Sequence, residues 1–178
     1  MGIQDSNLGK IFDALDINQD GVLEESDFLG FARQLAPRLA PGAEVHRQEG
    51  IITAFEGWWH QILRDGDANG DGRVTRVEYV TATARGLVAN PDYLDEAYSA
   101  VAEAVFQALD TDDDGSIDRA EYLAMYAAAN VGEDIAGTAF DRIDRNGDGV
   151  IDYAEFRAAV QELFTTDDPE AVGAELLG

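Results

Sequence analysis

Between Asp110 and Glu121 the chain reads DTDDDGSIDRAE, which sets carboxylates at the first, third, fifth, ninth and twelfth places: Asp110, Asp112, Asp114, Asp118 and Glu121. Gly115 holds the sixth place and Ile117 the eighth. The spacing is that of a twelve-residue calcium loop. A hard divalent cation needs many oxygens at once, and a short loop supplies them only from alternate positions. Gly115 takes the positive φ that turns the chain around the ion, which is costly for any residue with a Cβ. Glu121, in the first turn of the next helix, can close the site with both oxygens. An acidic chain could show one such stretch by composition alone, but this pattern recurs three more times.

The first recurrence is 16–27. Asp16, Asn18 and Asp20 hold positions 1, 3 and 5, Gly21 holds 6, and Leu23 holds 8. Position 12 is Asp27, one methylene shorter than glutamate, so a single closing oxygen is expected. Fewer oxygens weaken calcium and relatively favour magnesium, with Glu24 at position 9 as partial compensation. The second recurrence has two registers. A start at Asp65 puts Gly72 at position 8 and Arg76 at position 12, which cannot close a site. A start at Asp67 gives Asn69, Asp71, Gly72, Val74 and Glu78 in the required places and is preferred. The last recurrence, 144–155, carries Asp144, Asn146, Asp148, Gly149, Ile151, Asp152 and Glu155. The pattern also takes a ligand at position 7, through the backbone carbonyl: Val22, Arg73, Ser116 and Val150.

Helices must deliver and carry away each loop. Leu8, Ile11, Phe12 and Leu15 give the segment 6–15 one apolar face at helical spacing. After the first loop, Phe28, Phe31 and Leu35 begin a helix expected to end near Pro37 or Pro41. A long helix over about 44–63 presents Ile52, Phe55, Trp59, Ile62 and Leu63, with Ile51 and Trp58 alongside. Val77, Val80, Ala84 and Leu87 are the expected buried stripe of the next helix. Asn90-Pro91 reads as a cap and first helical residue for a helix running to Leu109. Helices over about 119–129 and 135–143 follow. Four residues before each loop stand Phe12, Leu63, Phe106 and Phe140, and just after each stand Phe28, Tyr79, Tyr122 and Phe156. The position-8 residues Leu23, Val74, Ile117 and Ile151 are branched aliphatics suited to a short bridge between paired loops. Beyond the last hand, Asp168-Pro169 reads as a helix start, and Leu176 and Leu177 either stay solvated as an ordinary terminus or plug an apolar groove.

Composition narrows the functions. Thirty-six acidic against twelve basic residues give a formal charge of −24, which makes nucleic acid and anionic membranes poor partners. With no cysteine, disulfides and thiolate metal sites are excluded. No apolar run reaches the length of a membrane span, and the opening MGIQDSNLGK lacks the basic start and apolar middle of a secretion signal. A cytoplasmic, soluble monomer is the expectation. His46 and His60 stand fourteen residues apart on one expected helix, about 21 Å by helical rise, so they cannot share a metal ion. No nucleophile–base arrangement or phosphate-cradling loop is present, and an enzyme is not expected.

Four such loops with flanking aromatics resemble the EF-hand proteins, and the resemblance covers nearly the whole chain. The loops begin at 16, 67, 110 and 144, and the long first and second intervals are similar to those of the sarcoplasmic calcium-binding proteins and of calerythrin, a similar bacterial protein. The ending Ala174-Glu-Leu-Leu-Gly178 is also similar to the calerythrin tail. The resemblance implies an all-α fold of four helix–loop–helix units in two pairs, 1–90 and 91–178 with a tail over 168–178, closed into one compact globule. It implies a calcium buffer or transporter using Ca2+, with Mg2+ tolerated above all in the first loop. The alternative is a calcium sensor that exposes an apolar groove to a target protein, although only two methionines, Met1 and Met125, are present to line one.

Overall fold

The computed structural model describes residues 3–39, 45–90, 92–128 and 133–165. Its elements run α1 (Ile3–Leu15), β1 (Val22–Leu23), α2 (Glu25–Leu39), α3 (Val45–Gly66), β2 (Val74–Thr75), α4 (Arg76–Ala89), α5 (Tyr93–Leu109), β3 (Ser116–Asp118), α6 (Arg119–Ala128), α7 (Glu133–Ile143), β4 (Val150–Asp152) and α8 (Tyr153–Thr165). The two strand pairs are antiparallel, β1 with β2 and β3 with β4. Leu23 faces Val74 and Ile117 faces Ile151, as the position-8 pattern predicts, and all four side chains are fully buried. The expected tail helix from Asp168 and the groove-plugging leucines lie outside the described residues.

The apolar face of α1 is buried as its spacing predicts: Leu8, Ile11, Phe12 and Leu15. Helix α3 is rotated relative to the expected face. Ile51, Phe55, Trp58, Trp59 and Ile62 are buried, while Ile52 and Leu63 are only partly so. The rotation follows from α3 packing chiefly on two helices, α2 and α5, with α4 also against it. Phe28 of α2 meets Trp58 and Trp59 at 5.4 and 5.3 Å between ring centroids, and Trp58 also stands edge-on to Tyr98 of α5 at 5.0 Å. Each large side chain so buried contributes on the order of 1.5–3 kcal/mol. Trp58 thereby ties the first two hands to the helix that opens the last two.

Helix α2 spans Glu25–Leu39, so it ends near Pro37 or Pro41 as expected, with Pro37 in its last turn and Ala36 buried beside it. The expected buried stripe of α4 is corrected. In α4, Val77 is 76% exposed, and Tyr79, Ala82 and Thr83 face inward. A capping box fixes the helix phase: Glu78 N–H donates to the Thr75 hydroxyl and Thr75 N–H donates to Glu78 Oε2. With Tyr79 inward, Val77 is left on the opposite side. Helix α5 is described from Tyr93, and Pro91, the expected first helical residue, lies outside the described residues. Asn90 N–H donates to Gly86 O and ends α4, while Asn90 Oδ1 accepts from Asp92 N–H and Asn90 O from Tyr93 N–H.

Two apolar clusters meet along α5. Tyr98 and Ala108 belong to the cluster formed by α1 to α4, and Ala102, Phe106 and Leu109 to the cluster with α6 to α8. Val160 of α8 packs against both. The aromatics flanking the loops pair across hands: Phe12 with Tyr79, Tyr122 with Phe140, and Phe106 with Phe156, at 5.6–5.9 Å. Each hand is therefore closed by its partner, and the molecule is an all-α, compact EF-hand fold.

Candidate metal centres

All four loops fold around their first residue in the same way. Asp16 Oδ2 accepts from Gly21 N–H at 2.9 Å, Asp67 Oδ2 from Gly72 at 2.9 Å, Asp110 Oδ2 from Gly115 at 3.0 Å, and Asp144 Oδ2 from Gly149 at 2.9 Å. The glycine at position 6 has φ between +80° and +93° in every loop. Position 3 then accepts from the N–H of position 5, and position 5 from that of position 7. In the first loop these are Asn18 Oδ1 from Asp20 N–H at 2.8 Å and Asp20 Oδ1 from Val22 N–H at 3.0 Å. Asn69 and Asp71, Asp112 and Asp114, and Asn146 and Asp148 repeat the arrangement, with Arg73, Ser116 and Val150 as the last donors. The result is the same backbone scaffold in each loop, with the side chains of positions 1, 3 and 5 drawn together by these bonds.

Position 3 separates the third loop from the rest. Asn18, Asn69 and Asn146 each donate an amide N–H to the position-5 carboxylate, at 3.1, 2.9 and 2.9 Å. Asp112 cannot donate when ionised. One oxygen each of Asp110, Asp112 and Asp114 lie within 4.8 Å of one another. Loss of water around Asp112, followed by the charges of Asp114, Glu121 and Asp110, pushes its carboxyl above the usual range. Like charges held this close are relieved by a divalent cation.

The closing residues differ too. Glu121 Oε2 accepts from Asp118 N–H at 2.9 Å, and Oε1 accepts from Thr111 N–H at 2.7 Å and its hydroxyl at 2.6 Å. Both oxygens thus span from the end of the loop to its beginning. Glu155 does the same with Asp152 N–H on one side and the N–H groups of Arg145 and Asn146 on the other. Glu78 Oε2 takes Thr75 N–H and hydroxyl, at 2.9 and 2.8 Å. The shorter Asp27 accepts from Glu24 N–H at 2.9 Å and is 3% exposed, the most deeply buried of the four closing carboxylates. Burial, and behind it the charges of Asp16 and Asp20, raises its pKa against the lowering by the Glu24 and Asn18 backbone. Glu24, which the sequence offers as compensation, is engaged in an ion pair with Arg73 of the second loop at 2.8 Å.

Sequence reasoning missed Arg47. From α3 it donates through Nη1 to the carbonyls of Gln107 and Asp110, and through Nη2 to Asp113 Oδ1 at 2.8 Å. Those carbonyls end α5, where the helix lacks internal partners and a cation is favoured. Asp113 has φ +60° at position 4 of the third loop. Arginine 63 residues upstream of the loop gave no local signal; only packing of α3 on α5 brings them together.

The donor sets are all oxygen, which suits calcium or magnesium and disfavours softer metals. Family models agree with the geometry. A model of an EF-hand domain pair matches residues 5–84, one of an EF hand residues 102–126, and one of an EF hand domain residues 136–163. The chain belongs to the EF-hand calcium-binding proteins, a family of binding proteins rather than enzymes. Among solved structures, a calcium-binding protein of Streptomyces coelicolor is 27% identical, with a TM-score of 0.70 over 91% of this chain and 98% of that one. A sarcoplasmic calcium-binding protein from amphioxus, 17% identical, has a TM-score of 0.68 over 100% of this chain and 97% of its own. The magnesium-loaded ctenophore photoprotein berovin, 21% identical, has a TM-score of 0.67 over 89% and 87%. The last two show the shared fold alone. No curated protein sequence matches the chain. No described helix is long and apolar enough to cross a membrane.

Proposed function

We propose that the chain is a cytosolic calcium buffer, monomeric, with two pairs of hands over 1–90 and 91–178. In each loop, side chains at positions 1, 3, 5 and 12 and the carbonyl at position 7 would hold the ion. These are Asp16, Asn18, Asp20, Val22 and Asp27; Asp67, Asn69, Asp71, Arg73 and Glu78; Asp110, Asp112, Asp114, Ser116 and Glu121; and Asp144, Asn146, Asp148, Val150 and Glu155. Binding would neutralise crowded carboxylates on a chain of charge −24. The third and fourth loops, closed by glutamates whose two oxygens already span the loop, should bind calcium most tightly. The first loop, closed by a shorter and buried aspartate, offers a smaller cage that suits magnesium.

The observation that carries the buffer reading is the aromatic core between α2, α3 and α5. A sensor must release an apolar groove for a target. Here Phe28, Phe55, Trp58 and Trp59 are buried against one another and against Tyr98. Opening the hands would break these contacts. The second reading, a sensor, draws on the Streptomyces protein, which is described as acting in calcium-mediated regulation. Fluorescence of an apolar dye, measured with and without calcium, separates the two. A buffer of this construction gives little calcium-dependent change, and a strong rise on adding calcium would decide for the sensor.

A further inference from the structure

Glu56 and His60 stand outside all four loops, Glu25 is the tenth residue of the first loop but not one of its proposed ligands, and none of the three belongs to either apolar cluster. Glu25 opens α2, while Glu56 and His60 are four residues apart on α3 and so project from one face. The rings of Phe28, Phe31, Phe55, Trp58 and Trp59 pack the two helices together and fix their backbones relative to each other. As a result, a carboxylate oxygen of Glu25, one of Glu56 and an imidazole nitrogen of His60 lie within 4.8 Å of one another, all on exposed side chains. We propose that these three residues form a surface site for a borderline divalent cation of the zinc class, chemically distinct from the four oxygen loops.

The donor set makes the distinction. Imidazole suits zinc and its neighbours in the first transition row, whereas calcium and magnesium seek oxygen alone. Metal–ligand distances of about 2.0–2.2 Å place tetrahedral donors roughly 3.3 Å apart. The three donors reach that spacing by rotating exposed side-chain tips, without moving either helix, and water completes the shell. Two like charges side by side on a strongly acidic chain also raise the local attraction for a cation. No cysteine is present to form a competing thiolate site, and the other histidine, His46, is too far along α3 to contribute. Three solvated side chains that are merely neighbours would show no histidine-dependent affinity, and this difference is measurable. A bound ion would also clamp the first turn of α2, which carries Asp27, onto α3.

The test is a calorimetric Zn2+ titration of the full chain held in excess calcium, so that the loops are filled. One zinc ion per chain is expected beyond the calcium sites. His60→Ala and Glu56→Gln should each weaken it at least ~10-fold, in line with what changes at metal sites cost, while His46→Ala leaves it unchanged. Thermal unfolding of the calcium-loaded variants checks that they remain folded. In the wild-type protein zinc should shift the ring proton resonances of His60 and not those of His46. Equal zinc affinity in His60→Ala, binding that only displaces calcium, or no binding at all would each overturn the site.

Discussion

The first and third loops share one backbone scaffold and differ in how they treat charge. In the third, Asp112 stands where the first has Asn18, and Glu121 where the first has Asp27. Asn18 donates its amide N–H to Asp20, whereas Asp110, Asp112 and Asp114 confront one another with no amide at position 3 and, among the described side chains, only the Ser116 hydroxyl donating to Asp114. Glu121 spans the third loop with both oxygens, while Asp27 lies buried at the neck of the first. On the proposed function, the third loop would be the stronger attractor of calcium and the first a smaller, better-compensated cage. The difference teaches that one methylene and one amide can change the charge and burial of the oxygens at a loop without altering its backbone scaffold.

The strongest way to break this comparison is Glu121→Gln. It removes a full charge from the closing ligand, and calorimetry should show the third site weakened by on the order of 100-fold or more, the upper end of what even outer-sphere changes cost. A loss no greater than that of a remote surface variant would mean the third loop is not a tight site. The mirror experiment, Asp27→Glu, should raise calcium affinity at the first loop roughly 10-fold and reduce its relative preference for magnesium. Unchanged affinity would show that burial of the neck, rather than side-chain length, governs this loop.

Arg47→Ala probes the third loop from outside. It removes two bonds to the carbonyls that end α5 and an ion pair to Asp113, whose side chain is 79% exposed and therefore contributes little. A loss of about 1–2 kcal/mol in stability is expected from the carbonyl bonds, with calcium binding altered in the third loop and not in the first. Equal effects on both loops would mean that Arg47 acts only on global packing.

The smallest effect concerns pH. Asp27 and Asp112 both have pKa values raised in the metal-free fold. The native state therefore holds more protons than the unfolded chain between the unfolded and folded values. Its stability rises as pH falls through the folded pKa and is lost again as pH rises through it. Mild acidification should lift the melting temperature of the calcium-free protein by a few degrees and at the same time weaken calcium binding, because the ion must displace the protons. Scanning calorimetry of the chelated protein at pH 5 and pH 7 checks the sign, and a lower melting temperature at pH 5 would contradict it.

The backbone of the loops was legible from the sequence. Ligand chemistry is local: a cation fixes which oxygens are needed every second place, and the glycine at position 6 and aliphatic at position 8 follow from backbone geometry. The register at Asp67 and the pairs Leu23–Val74 and Ile117–Ile151 therefore came out of spacing alone. What spacing could not decide was which side of an apolar helix meets which neighbour. Helix α3 carries seven large apolar residues over 51–63, and its orientation was set by the need to serve α2 and α5 together. Val77 looked like core by periodicity, yet the capping box turned it to solvent. Arg47 on the third loop and Glu25 beside Glu56 and His60 belong to the same class. Contacts between residues far apart in the chain depend on how whole helices pack, and no local pattern encodes that geometry.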